Sequence, residues 1–343
     1  MKNNPKKVVI SGYYGFNNFG DEAVLSVLIN FLKLENIEDI TVISKNPENT
    51  RKTYQTEAVY TFDILKIFLN ILKSDILFSG GGSLLQDVTS LKSLVYYLFI
   101  ITLAIFFRKK VIIFAQGIGP IKNQFFGQIT KNLLKKCTFV TVRDEKSFEL
   151  LKKWGIPAHL VCDPVWELRV FEKVSDNAIG VQLRKWETLT DEKIESLAKA
   201  IASNFSDKEV CIYEFQEAQD KEACEKFENE LKKQNPNIVV KIIINESIEM
   251  ISKSFAHLDT IIAMRYHACL LGLKYGIKVL PVIYDPKVES LADEFGLTNR
   301  LYLDGEFKAD EVTDSFKKAE NNLKALPKFD FDLFREYLKK PFP

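Results

Sequence analysis

The sequence predicts an α/β protein built from two parallel-sheet domains, and three observations carry that expectation. Short apolar, β-branched runs alternate with longer segments of helical periodicity along most of the chain. A polar, unpatterned stretch from about Glu167 to Asn177 interrupts the alternation, which then restarts. The chain has 343 residues, enough for two domains that each bury a core. The expected division is residues 1–167, residues 178–326 and a final helical segment over residues 327–343. Two similar halves joined by a linker suggest a ligand cleft between them.

In the first half, strands are expected at Val8–Ser11, Asp39–Ser44, Asp75–Ser79, Val111–Ala115 and Phe139–Val142. Helices are expected from Asp21, across Phe62–Leu72, and over Glu145–Trp154. The loop between Gly12 and Gly20 lacks the G-x-G-x-x-G spacing of a dinucleotide fingerprint. Gly80-Gly81-Gly82-Ser83 follows a strand. Three glycines there allow either a backbone cradle for a ligand or a tight strand-to-helix turn. In the second half, strands are expected at Ala178–Leu183, Glu209–Glu214, Val239–Ile244, Thr260–Met264 and Val279–Ile283. Helices fall at about Asp191–Asn204, Ala218–Gln234, Ile248–Phe255, Tyr266–Tyr275 and Val288–Phe295, with a last one near Asp332–Leu338.

Composition narrows the function. Hydrophobic content of 46% and charged content of 27% are those of a soluble globular protein. With 47 basic against 46 acidic side chains, the net charge of +1 gives no reason to expect nucleic acid as a partner. Five scattered cysteines without a CxxC read as reduced thiols in a cytosolic protein. The three histidines lack metal-ligand spacing, so no bound metal or cofactor is expected. The N-terminus has lysines but no long apolar run, which argues against a signal peptide. Leu94–Phe107 is uncharged and precedes Arg108-Lys109-Lys110. It is too short to span a bilayer comfortably and reads as a buried helix or a membrane-facing surface.

Charged residues collect at the expected carboxyl ends of strands, the edge where open α/β sheets bind ligands. Arg143 follows one strand, and its alternatives are a substrate contact or an ion pair with Asp144 or another neighbour. Arg184 ends another. Arg265-Tyr266-His267 opens a helix directly after a strand, where free N–H groups and the helix dipole favour an anion. Tyr284-Asp285-Pro286-Lys287 follows the next strand.

Taken together, these pieces resemble the polysaccharide pyruvyl transferase family, and within it the bacterial cell-wall enzymes of the CsaB type. The matching segments are Gly12-Tyr13-Tyr14-Gly15 with Gly20-Asp21-Glu22-Ala23, Ser79–Asp87, Gln116-Gly117-Ile118-Gly119-Pro120, Arg143-Asp144, Asp163-Pro164, Arg265-Tyr266-His267 and Tyr284–Val288. Position 83 is Ser where the family often has a further Gly. The resemblance implies two Rossmann-like domains in a GT-B-like arrangement. It also implies transfer of a pyruvyl group from phosphoenolpyruvate, the co-substrate, onto two hydroxyls of one sugar as a cyclic ketal. For the CsaB type the implied acceptor is a lipid-linked disaccharide precursor of a cell-wall polymer, modified on N-acetylmannosamine. Such an acceptor implies a cytoplasmic protein with peripheral contact at the inner face of the plasma membrane.

The first domain would then serve the acceptor and the second phosphoenolpyruvate. Arg143, Arg265 and Lys287 form the expected anion clamp. Gly80, Gly81, Gly82, Gln116 and Tyr284 are further binding candidates. His267 is the expected general acid, and Asp21 either orients an acceptor hydroxyl or simply partners a helix N-terminus. A nucleotide-sugar glycosyltransferase and a non-catalytic glycan-binding protein are the alternatives, because fold does not fix chemistry.

Overall fold

The computed structural model describes residues 6–339, apart from Thr89, Ser175, Asp176, Glu306, Glu320, Asn322 and Lys324. Two positions of the expected linker, Ser175 and Asp176, thus lie outside the described residues. The chain forms two compact units, one made of everything up to Leu168 plus the segment from Pro327 onward, the other of Arg169–Leu326.

The first unit holds strands β1 (Lys7–Ser11), β2 (Asp39–Ser44), β3 (Glu57–Tyr60), β4 (Ile76–Ser79), β5 (Gly82–Leu85), β6 (Lys110–Ile118), β7 (Phe139–Val142) and β8 (His159–Leu160). Its helices are α1 (Phe19–Leu34), α2 (Pro47–Tyr54), α3 (Ile64–Lys73), α4 (Leu91–Phe106), α5 (Gln124–Leu134) and α6 (Glu145–Lys153). The sheet runs β3-β2-β1-β4-β6-β7-β8, with β5 paired to β6 beside this path, and every pairing is parallel. Strands buried on both faces explain the continuous apolar runs in the sequence.

Strand β3, helix α5 and, in the second unit, the strand Leu301–Tyr302 are not expected from the sequence, and three further features depart from that reading. The residues after Gly81 continue as strand β5, so the glycine run joins two strands and does not enter a helix. Helix α2, with the sequence PENTRKTY, buries only Thr50 and Tyr54. It has almost no apolar stripe, and Asn46 and Pro47 at its start are its only strong signals. Helix α4 is both a core helix and a surface one. Leu94, Tyr97, Leu98, Ile101 and Ala104 are buried, whereas Leu91, Val95, Phe99 and Phe106 are exposed. Among the described residues no helix is long and apolar enough to cross a membrane.

Helices α3 to α6 share one core with the strands, through Ile67, Ile71, Leu94, Leu134 and Leu151 against Val9, Leu77 and Val111. The second unit contains β9 (Ala178–Gln182), β10 (Glu209–Glu214), β11 (Val240–Ile244), β12 (Leu258–Ala263), β13 (Lys278–Ile283) and β14 (Leu301–Tyr302). Its helices are α7 (Asp191–Asn204), α8 (Glu217–Gln234), α9 (Ile248–Phe255), α10 (Tyr266–Lys274), α11 (Pro286–Glu294) and α12 (Ala309–Lys317). The sheet order is β11-β10-β9-β12-β13-β14, again with every pairing parallel.

Helix α13 (Phe331–Lys339) belongs to the first unit despite its distance in sequence. Phe334 is fully buried, with its ring 5.1 Å from that of Phe114, 5.3 Å from Phe139 and 5.4 Å from Phe329. Arg335 Nε donates to Glu35 Oε1 at 2.7 Å and ties α13 to the end of α1. Phe334→Ala is expected to destabilise the first unit by about 3–5 kcal/mol, the usual cost of emptying a buried aromatic site. Equilibrium unfolding by denaturant checks this, and a loss below about 1 kcal/mol would show α13 to be an appendage.

Candidate functional site

The expected site residues fall into two groups, one on each unit, both at the carboxyl ends of parallel strands. Asp21, Gly80–Gly82, Gln116 and Arg143 lie in the first unit; Arg265, His267, Tyr284 and Lys287 lie in the second.

In the first unit, Asn18 caps α1 by accepting from Gly20 N, which places Asp21 in the first helical turn. The glycine run is shaped by its neighbours. A Cβ on Gly80 would lie within bonding distance of the Tyr14 hydroxyl. One on Gly81 would come 2.5 Å from Val24 Cγ1, and one on Gly82 2.6 Å from Asp21 Oδ1. Gly80 N already donates to Ser11 O at 2.7 Å. The run therefore has a steric reason beyond any ligand: α1 and the Tyr14 ring occupy the space where side chains would stand. Gly82 also has a φ of +84°, which L-residues rarely adopt.

Gln116 is fully buried, and its Nε2 donates to Ser79 Oγ and Gly80 O, both at 2.8 Å. The strand is irregular just before it, where Ala115 has a φ of +46° and the β6–β7 register shifts. Ala115 N donates to Thr141 Oγ1 at 2.8 Å, which holds this kink and turns Gln116 toward β4. The hydroxyl of Tyr14 and Oε1 of Gln116 are buried without a hydrogen-bond partner among the described residues. Burial pushes the Tyr14 phenol well above its usual range, so it stays protonated.

Arg143 does form an ion pair, but with Asp163 rather than Asp144. Its Nη1 donates to Asp163 Oδ2 at 2.5 Å, and both side chains are buried. Nη2 reaches Ser83 Oγ at 3.4 Å. Asp163 Oδ1 also accepts from Val165 N and so caps the 3-10 turn Pro164–Glu167. Asp144 caps α6 instead, accepting from Ser147 N and Ser147 Oγ, each at 2.8 Å. An arginine held in this way is a positioned, largely neutralised group, not an open anion clamp.

In the second unit Arg265 N-caps α10 and its guanidinium turns onto Asp220 of α8. Nε donates to both carboxylate oxygens, at 3.0 and 2.9 Å, and Nη2 to Oδ1 at 2.5 Å. Nη2 also contacts Gln216 Oε1 at 3.3 Å. Asp220 has 0% exposure and further accepts from Gln216 N and Gln182 Nε2. Burial pushes its carboxyl up, and the guanidinium and the Gln216 amide pull it back. Gln182 Oε1 accepts from Arg265 N at 2.8 Å, fixing the start of α10.

His267 lies in the first turn of α10, half-buried, with its ring edge-on to Tyr266 at 5.0 Å. Lys287 is in the first turn of α11, which Asp285 caps by accepting from Lys287 N at 2.8 Å. The Tyr284 hydroxyl accepts from Arg184 Nη1 at 3.0 Å, and Arg184 lies over the rings of Trp186 and Tyr284. Of the other two histidines, His159 is on β8 of the first unit and His257 lies just after α9.

Sequence reasoning missed Asp220, Gln182, Gln216 and Trp186 and gave Arg184 no role. Gln182 and Arg184 stood at a strand's carboxyl end, a signal that was present. Asp220 had none, because α8 carries several acids at similar spacing. Among the described residues no group of three or more His, Cys, Asp or Glu side chains is placed to hold a metal ion.

The Gly80–Tyr14 contact yields a prediction. Gly80→Ala is expected to cost about 1–3 kcal/mol from overpacking, whereas Tyr14→Phe, which deletes an unpartnered hydroxyl, should be near neutral. In the double variant the alanine should cost about 1 kcal/mol less than alone, read from a double-mutant cycle of unfolding free energies. Strict additivity would refute the contact.

Against known structures, the chain is similar to a putative UDP-N-acetylglucosamine 2-epimerase from Listeria monocytogenes, with a TM-score of 0.67 at 11% identity over 99% of both chains. It is also similar to UDP-GlcNAc 2-epimerase from Methanocaldococcus jannaschii, with a TM-score of 0.66 at 12% identity, covering 97% of this chain and 99% of that one. Anabaena Alr3699/HepE, solved with UDP and glucose, gives 0.58 at 11% identity, covering 91% and 89%. These likenesses show the fold alone: two parallel-sheet α/β domains of the GT-B kind. No curated protein matches the sequence. The family model for polysaccharide pyruvyl transferase matches residues 18–286, a span that takes in nearly all of the site residues described above. The chain belongs to the polysaccharide pyruvyl transferase family.

Proposed function

We propose that this protein transfers the pyruvyl group of phosphoenolpyruvate to two hydroxyls of one sugar in a lipid-linked cell-wall polysaccharide precursor, as CsaB-type enzymes do. N-acetylmannosamine is the proposed sugar, and the cytoplasmic side of the plasma membrane the proposed location. The observation that carries the reading is the edge of the second unit, where His267, Arg265 and Lys287 gather at two helix N-termini. A compact phosphate-plus-carboxylate substrate suits two helix dipoles and a lysine. Arg265, already paired with Asp220, supplies orientation and any donor not spent on that carboxylate.

The chemistry balances on one enolpyruvyl unit. A proton added at the methylene carbon makes C2 electrophilic, and one sugar hydroxyl bonds to C2 and loses its proton. The C–O bond to phosphate then breaks, and the second hydroxyl closes the ketal and loses its proton in turn. His267 is the proposed acid for the methylene carbon. A dianion bound beside the ring would favour its imidazolium form. Asp21 and Gln116, on the first unit, are the proposed contacts to the acceptor hydroxyls. Asp21 can accept a hydroxyl proton, and Gln116 has one amide oxygen unspent.

Incubation of purified protein with phosphoenolpyruvate and lipid-linked disaccharides tests the reading. Phosphate release together with a product heavier by one pyruvyl ketal is expected. Turnover of a nucleotide sugar with nucleotide release, and none of phosphoenolpyruvate, would replace it with glycosyl transfer. No turnover of either would leave a glycan-binding protein.

His267→Gln keeps reach and polarity but removes the acid. It is expected to lower kcat by about 10²–10⁴-fold with KM for phosphoenolpyruvate within a few-fold. The wild-type rate should fall on the alkaline side as the imidazolium deprotonates, and that limb should disappear in the variant. A preserved kcat with lost phosphoenolpyruvate affinity would make His267 an anion ligand instead.

A further inference from the structure

The outward side of α3 and α4 carries an apolar surface that the proposed chemistry does not use. On α3, Leu65 is 69% exposed, and Ile64, Leu69 and Leu72 are exposed with it. Only Ile67 and Ile71 of this helix are fully buried. On α4, Leu91, Val95, Phe99 and Phe106 project outward, and Phe106 is 75% exposed. Edge-on aromatic contacts join the two segments: Phe62, just before α3, meets Tyr96 of α4 at 6.4 Å, and Phe68 of α3 meets Phe107, just after α4, at 5.2 Å. The result is one patch of large apolar side chains rather than scattered single ones.

The two helices carry cations and no acid of their own: Lys66 and Lys73 lie on α3 and Lys92 on α4, and Arg108 and Lys109 follow α4 directly. Lys92, Arg108 and Lys109 make no ion pair among the described residues. On α3, Lys66 and Lys73 are exposed beside the apolar stripe. The only acid in this helix and its cap is Asp63, which Lys66 already pairs at 3.1 Å. Lys45 lies about the rings of Tyr60 and Phe62, at 5.1 and 5.0 Å from their centroids.

An apolar stripe with exposed Phe and Leu, flanked by unpaired lysines and arginine, is the composition of an interfacial helix on an anionic lipid surface. A second copy of this chain is the competing occupant. A two-fold contact would set the same cations against one another, which opposes that pairing. We propose that the outer face of α3 and α4 docks this protein onto an anionic membrane surface, with the side chains of Leu65, Phe99 and Phe106 inserted and the surrounding cations on the headgroups.

This fits a lipid-linked acceptor and so deepens the reading given above, but it rests on the surface alone. The test therefore uses vesicles with neither phosphoenolpyruvate nor acceptor, so that failure here leaves the transfer chemistry standing, and the converse. Purified protein is sedimented with phosphatidylglycerol-containing vesicles and with pure phosphatidylcholine vesicles, at low and high salt. Binding to the anionic vesicles is expected, weaker on phosphatidylcholine and weaker as salt rises. Leu65→Ser with Phe106→Ser, and separately Lys66→Glu with Lys92→Glu, should each lower the partition coefficient about tenfold or more. Thermal unfolding of both variants establishes that they fold. Absence of wild-type binding at low salt, equal binding to both vesicle types, or unchanged binding of both folded variants would overturn the proposal. A dimer that the serine variant dissociates, with no vesicle binding, would assign the face to a second copy.

Discussion

Each unit buries an arginine at the carboxyl edge of its sheet and answers it with a buried aspartate: Arg143 with Asp163, and Arg265 with Asp220. A guanidinium removed from water without a partner costs several kcal/mol, and a pair is tolerated only when its remaining donors and acceptors are also met. That condition organises the surrounding loops. Asp163 spends its second oxygen on the 3-10 turn, and Asp220 accepts from a backbone amide and from Gln182 while receiving the guanidinium. Removing one member of such a pair typically costs about 3–5 kcal/mol, so these arginines are structural commitments before they are ligands. In the proposed reaction the remaining positive potential at this edge is that of the helix N-termini.

The first unit's edge is governed by volume rather than by charge. The Tyr14 ring lies over Gly12 and against Gly80, where a Cβ on either residue would overlap it. Glu22, in the first turn of α1, accepts from Gly15 N at 2.7 Å and from the Tyr54 hydroxyl at 2.7 Å. Burial pushes its carboxyl up, and these two donors hold it back. The segments Gly12–Gly15, Gly20–Ala23 and Gly80–Gly82 are thus one interlocked packing unit, which explains why glycines and acids recur together in this stretch of sequence. The amide oxygen of Gln116 is one polar atom that this packing does not consume.

Much of the fold was legible because both sheets are parallel and doubly covered. Buried strands read as β-branched runs, and amphipathic helices such as α9 (Ile248–Phe255) show their period plainly. Elements that bury little were not legible. Helix α2 has two buried residues, and β5 is a four-residue strand whose glycine start resembles a turn. In the site, the arginines and His267 stood out because charge at a strand end is unusual, whereas Asp220 did not and Asp163 showed only as a motif residue without its pairing. Asp220 comes from another helix, and Asp163 is 20 residues from Arg143. Sequence shows which cations a sheet edge presents; only the fold shows which of them are already paired.

The same distinction governs the long-range charge. A net charge of +1 suggests a protein indifferent to charged surfaces, yet it is a sum over segments that fold far apart. Between Val88 and Arg143 the cations have no acids of their own segment to meet, and the packing of α4 and α5 leaves most of them at the surface. Lys110 and Arg143 are the exceptions, buried at the start of β6 and the end of β7. Helix α4 meets two demands with a sequence that is uncharged after Lys92, because its inner stripe fills the core while its outer stripe remains apolar. Core packing alone would not require Phe at position 106, where three-quarters of the side chain faces out. Phe106 packs edge-on to Phe107 at 5.2 Å, and the face it leaves exposed, just before Arg108 and Lys109, is the part of α4 that the proposed membrane contact uses.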